Sequence, residues 1–164
     1  MILLSNPVLA NDEIEVLKKL FQPLVTLDQE HEESKSSFGQ SMANLKLVNE
    51  SQKIIHERLK KNEVWEIEKK FLEVQFGLLE QLGNASQQFL ILTGKLTKDG
   101  VQLYSSIHKD ETLNTILSTI SVVGRGEEGK ALKHRMSQTT KTYMNNYITQ
   151  VKLYGLTLED LNKK

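Results

Sequence analysis

From Val64 to Leu96 an apolar residue recurs every three or four positions without a miss: Val64, Ile67, Phe71, Val74, Leu78, Leu82, Ala85, Phe89, Leu92 and Leu96. A strand repeats every two residues and an α-helix every 3.6, so this spacing dictates a helix with one apolar seam. The steps alternate, except for two consecutive fours from Val74 through Leu78 to Leu82, a small stutter in a coiled-coil-like repeat. Trp65, Leu72, Phe76 and Leu79 form a second, flanking stripe, and Leu103 and Ile107 carry the seam past Gly100. A helix over 62–108 follows, about 70 Å long at 1.5 Å per residue. Gly77, Gly83, Gly94 and Gly100 lie inside it, and each costs about 1 kcal/mol relative to alanine. Gly83-Asn84 is the weakest point, yet the phase of the seam crosses it intact, so the helix is expected to continue there.

A second long helix is expected over 24–60. Leu24, Leu27, His31, Ser34, Phe38, Met42, Leu45, Val48, Gln52, Ile55 and Leu59 keep the same steps, with a weaker, polar stretch over 28–37. Pro23 suits a first helical turn. Lys60 and Lys61 suit a helix end, and Asn62 a new N-cap, so a turn is predicted at 60–63. A shorter helix precedes, from about Asn11 to Phe21. Uncharged Thr112–Val123 carries Leu113, Ile116, Leu117, Ile120 and Val123 on one helical face, although its Ser, Thr, Ile and Val content also suits a strand. A last long helix is expected from about Glu127 to Tyr154, with Leu132, Met136, Thr139, Tyr143, Tyr147, Val151 and Tyr154 on its apolar face. Gly155 is its stop, and Thr157-Leu-Glu-Asp160 caps a short final turn. The fold class is therefore all-α: one elongated helical bundle over residues 1–164, with two long antiparallel helices and shorter ones.

Composition agrees. Apolar residues make up 38% of the 164, which suits an elongated helical protein, and no proline follows Pro23. There is no cysteine, which removes thiolate catalysis and cysteine-held zinc. The 21 basic and 21 acidic residues cancel, unlike the basic balance of a general nucleic-acid binder, so no nucleic-acid partner is expected. Charge is nevertheless polarised. Residues 1–34 hold seven acids against two lysines, and residues 125–164 hold eight bases against four acids. These ends attract one another within a bundle or between subunits; a basic C-terminal helix touching an acidic partner or phosphate is the sharper reading. The N-terminal Met1–Ala10 lacks a basic leader, and its apolar run ends at Leu4, so it reads as a short arm packed on the bundle rather than a signal peptide. No stretch approaches 18 consecutive apolar residues, and a cytoplasmic location is expected.

Chemistry-bearing motifs are few. Gly124-Arg-Gly-Glu-Glu-Gly-Lys130 has the G-x-x-x-x-G-K outline of a phosphate-cradling loop. Ala131, however, stands where a magnesium-binding hydroxyl belongs, and Glu127 and Glu128 would face the phosphates. An inter-helix turn is the better reading. Asp28-x-x-His31 is the closest approach to a di-iron Glu-x-x-His pair, and it has no second copy. His31, His56, His108 and His134 read as seam or surface residues. No catalytic residue, metal site or cofactor is expected. The expected function is that of a non-enzymatic interaction or scaffold protein, acting through self-association or a partner helix. Trp65, Phe76, Tyr143, Tyr147 and Tyr154 are the candidate contact residues, because aromatic residues dominate interface cores. The alternative is a membrane-surface or membrane-remodelling domain that uses the basic C-terminal helix.

Overall fold

The computed structural model describes residues 7–34, 36–61, 64–92 and 125–162. Among them are five helices and no strand: α1 (Pro7–Glu33), α2 (Ser37–Leu59), α3 (Glu66–Leu92), α4 (Arg125–Leu153) and α5 (Leu158–Asn162). The chain is an all-α bundle. α1 to α4 run alternately up and down. Glu30 and Asp12 of α1 meet Lys46 and Arg58 of α2, and Arg58 and Asn44 of α2 meet Glu68 and Ser86 of α3. Gln75 and Ser86 of α3 then meet Tyr143 and Met136 of α4. The expected continuations at 93–108, the 110–123 segment, Gly124, His108 and the arm before Pro7 lie outside the described residues.

The first half of the chain divides differently from the expectation. Instead of a short helix followed by a long one over 24–60, α1 passes through Pro23 and ends at Glu33. An internal proline lacks the donor for one i→i−4 bond and costs about 3 kcal/mol. Leu17, Leu20, Leu24 and Leu27 form one buried stripe across it, and burying each leucine contributes about 1.5–3 kcal/mol, which outweighs that cost. The break falls at 34–36, in the polar stretch. Ser36 is an N-cap in extended conformation (φ −112°, ψ 146°), and its hydroxyl accepts from the Gly39 N–H at 3.1 Å. The hairpin is tight: a Cβ on Gly39 would stand 2.0 Å from the Ser34 hydroxyl oxygen.

α3 also departs from its predicted seam. Glu66 is the first helical residue, and the Trp65 carbonyl accepts from the Lys69 N–H at 2.8 Å; Asn62, the expected N-cap, lies outside the described residues. Ile67 and Val74 are 39% and 53% exposed, whereas Leu72 and Leu79 from the flanking stripe are fully buried. Up to Leu79 the buried line runs through Glu68, Leu72, Gln75 and Leu79, with the predicted Phe71 buried beside it; from Leu82 onward it joins the predicted Leu82, Ala85, Phe89 and Leu92. Two polar core residues, Glu68 and Gln75, hid the true phase. The helix continues through Gly83 as expected, and Val48 of α2 packs at 3.4 Å from where a Gly83 Cβ would stand.

α4 follows its sequence pattern closely. Leu132, Met136, Thr139, Tyr143, Tyr147 and Val151 are all buried, and Tyr154 is half-buried. The supposed turn before it is helical from Arg125, so Arg125–Lys130 opens α4 instead of forming a loop. Gly155 stops the helix at φ +69°. Its N–H donates to the Lys152 carbonyl and that of Leu156 to the Val151 carbonyl, the paired bonds of a Schellman ending. Thr157 and Asp160 then cap α5 reciprocally, each backbone N–H donating to the other's side chain at 2.9 and 3.2 Å.

Candidate interaction surface

Three polar levels cross the interior. At one end Arg58 (5% exposed) donates two hydrogen bonds of 2.8 Å to Glu68, a fork-to-fork pair that holds the guanidinium above its ordinary value. Asp12 stands 4.0 Å from the same guanidinium. Glu13 is buried beside them, near Tyr154 and Glu68, and its Oε1 has no hydrogen-bond partner among the described residues. Desolvation pushes the Glu13 carboxyl up, and the nearby Glu68 carboxylate adds to the shift. Midway, Gln75 donates to the Tyr143 carbonyl at 3.0 Å. At the far end His31 Nε2 donates to Asn44 at 2.8 Å, Asn44 donates to the Ser86 hydroxyl at 3.1 Å, and Ser86 donates to the Met136 sulfur at 3.2 Å.

Arg58 and Glu68, and Asn44 and Ser86, are bonded to one another. A cleft of about 320 Å³ beside Arg58 is bordered by Asp12, Glu15, Lys19, Glu57 and Lys61, a balanced set of opposite charges. Among the described residues no three His, Asp or Glu side chains gather within metal-binding reach. His56 and His134 are exposed.

The sequence-derived contact residues separate into two kinds. Tyr143 and Tyr147 are 1% exposed, with rings packed in the interior, although Tyr147 also borders the groove described below. Burial pushes the Tyr143 phenol up to about 12, with the Ser51 hydroxyl acting in the opposite direction. Tyr147 donates to the Leu17 carbonyl and stacks on Phe21, ring centroids 6.3 Å apart. Its phenol is also raised by burial, as is that of Tyr154, next to Glu13. Trp65, Phe76 and Tyr154 are half-buried and lie on different helices or at different levels; they do not form one patch.

The surface feature that does form one patch is the α1/α4 face. Here the helices are bridged by aromatic side chains instead of close backbone packing, and an apolar groove of about 210 Å³ opens between them. Phe21, Leu24 and Val25 line one wall, Met144, Tyr147 and Ile148 the other, and Leu158 of α5, 44% exposed, closes one end. Phe21, Val25, Met144 and Ile148 are only partly buried, and Asp28 stands at the rim. Further along the same seam, His31, Gln40, Lys133, Ser137, Thr140 and Lys141 border a polar cavity of about 220 Å³. No ion pair joins α1 to α4 among the described residues. Of the groove residues, sequence reasoning named Tyr147 and missed Phe21, Val25, Met144 and Ile148. Their one signal was that Met144 and Ile148 each follow an apolar-face tyrosine by one position, which widens that face toward α1. Phe38, Ile67, Val74 and Leu153 are exposed elsewhere among the described residues, as apolar side chains on folded domains commonly are. No helix among the described residues is long and apolar enough to cross a membrane. Comparison of the chain with protein-family models, with curated proteins and with solved structures gave no match.

Proposed function

We propose that this chain is a non-enzymatic helical interaction protein whose α1/α4 face receives the apolar side chains of another helix. The observation that carries the reading is the open apolar groove between Phe21, Val25, Met144 and Ile148. A groove lined on both sides by helices takes side chains at three- and four-residue spacing, the usual way an amphipathic helix is recognised. Arg58 is bonded to Glu68 and Asn44 to Ser86 in the interior, whereas the α1/α4 face offers open apolar surface.

The test is a Val25→Glu/Ile148→Glu double variant with two readouts. One is the mass in solution by light scattering. The other is the anisotropy of a fluorescein-labelled synthetic helical peptide with leucines at three- and four-residue spacing followed by glutamates. The substitution is expected to abolish self-association, peptide binding, or both. A parent chain whose mass and peptide binding both ignore it removes the reading.

A second reading rests on the exposed Lys130, Lys133 and Lys141, which share one face of α4. Such a row suits an anionic membrane surface, where each basic residue near the lipid contributes about 1 kcal/mol. Co-sedimentation with phosphatidylserine vesicles at low salt tests it, and a chain that stays in the supernatant eliminates it.

A further inference from the structure

The α1/α4 seam changes character along its length. The Phe21–Ile148 half is apolar, while beyond it a cavity lined by His31 of α1, Ser37, Gln40 and Asn44 of α2, and Lys133 and Lys141 of α4 carries two lysines and no carboxylate. A helix that fits it carries apolar residues and, one to two turns later, acids on the same stripe. α1 is such a helix. Phe21, Val25, Asp28 and Glu32 follow one another by steps of four, three and four, and so share its outer face.

We propose that a second copy of this chain covers the α1/α4 face, related by a two-fold axis parallel to the bundle, so that α1 of each protomer lies over α4 of the other. The proposal rests on the interaction reading above and specifies its partner. A two-fold axis along the bundle preserves height. Phe21 and Asp28 share the groove with Met144 and Ile148, and His31 shares the adjoining cavity with Lys133 and Lys141, which fixes the levels. Phe21 and Val25 therefore meet the partner's Ile148 and Met144, while Asp28 and Glu32 meet the partner's Lys141 and Lys133. The alternative face-to-face axis, perpendicular to the helices, lays α1 on α1, a helix of seven acids and two lysines against its own copy. At the far end Lys18 approaches the partner's Lys152, but Lys18 is already paired with Glu15 at 3.7 Å. Two helices of this length, about 40 Å by 20 Å, present about 800 Å² per protomer, the size of a standard stable interface.

Asp28, Glu32, Lys133 and Lys141 are all exposed, so reversing them leaves the core untouched. Sedimentation velocity of the full chain is expected to show a dimer. Asp28→Lys/Glu32→Lys alone, and Lys133→Glu/Lys141→Glu alone, are each expected to weaken it at least tenfold. An equimolar mixture of the two variants is expected to recover a dimer, because every contact in that heterodimer again joins opposite charges. A parent that stays monomeric across the concentration range overturns the proposal, as does a dimer indifferent to both reversals. If the chain is monomeric but the synthetic peptide binds and Val25→Glu/Ile148→Glu abolishes that binding, the interaction reading stands and only the second copy falls.

Discussion

Replacing Arg58 by methionine tests how the polar end of the bundle is held. Arg58 and Glu68 are 5% and 4% exposed and joined by two 2.8 Å bonds, so removing the guanidinium strands a carboxylate in the interior. Breaking such a pair on one side costs about 3–5 kcal/mol, whereas replacing both partners by apolar residues of similar volume is close to neutral. The half-exposed Asp12, 4.0 Å away, adds at most about 1 kcal/mol. Arg58→Met is therefore expected to lose about 3–5 kcal/mol of the roughly 5–15 kcal/mol that holds a domain folded. Arg58→Met/Glu68→Leu is expected to recover most of that loss. Urea unfolding followed by circular dichroism, at one fixed protein concentration, measures all three chains. A single variant within 1 kcal/mol of the parent, or a double variant no better than the single, would refute the reasoning: the pair would then be screened by water and not buried.

Other expectations follow from the same structure. Glu13 has a carboxyl raised by burial above its ordinary 4.5, so the folded state binds this proton more tightly than the unfolded chain does. Its contribution to stability is complete below that ordinary value and is lost as pH rises through the folded one, with a limiting slope of about 1.4 kcal/mol per pH unit. Glu13→Gln, which cannot ionise, is expected to flatten that slope when urea midpoints are compared from pH 4 to 8; an unchanged profile counts against the buried site. Tyr147→Phe keeps the ring stacked on Phe21 but loses the bond to the Leu17 carbonyl, for an expected loss of about 0.5–1.5 kcal/mol in thermal unfolding. Gly77→Ala is expected to stabilise by about 1 kcal/mol, since position 77 is helical and nothing stands within 4 Å of the added methyl. A destabilised Gly77→Ala chain would show that α3 is not a regular helix there.

The buried face of α4, though not its first turn, was legible because every buried position on it except Gln150 is apolar, aromatic or the small Thr139, so the 3.6-residue period survives inspection. Its ending was equally legible, since Gly155 and the Thr157–Asp160 pair are local signals that need no tertiary context. α3 was misread before Leu82 for the opposite reason. Glu68 and Gln75 are core residues only because Arg58 and the Tyr143 carbonyl are there to receive them, and those partners are 10 and 68 residues away in sequence. The break at Ser36 was masked by the seam that runs on through Ser34 and Phe38; the N-cap was present, but no glutamate followed at the third position to mark it. Pro23 was taken as a helix start when its surrounding leucines outweigh its local preference. The groove on the α1/α4 face depends on how two helices 120 residues apart lie together, which periodicity does not encode.

The three polar levels have a consequence for helix alignment. Apolar side chains tolerate sliding, because one leucine can replace another when a helix moves along its axis by one turn, about 5.4 Å. Arg58 cannot follow Glu68 through such a slip, nor Gln75 the Tyr143 carbonyl, nor Asn44 the Ser86 hydroxyl. Every misaligned packing of α2, α3 and α4 leaves a buried charge or amide unbonded, at about 1–3 kcal/mol for each neutral group and more for the charged ones. The apolar residues make these helices cohere, and the polar residues at three heights decide the single register in which they do so.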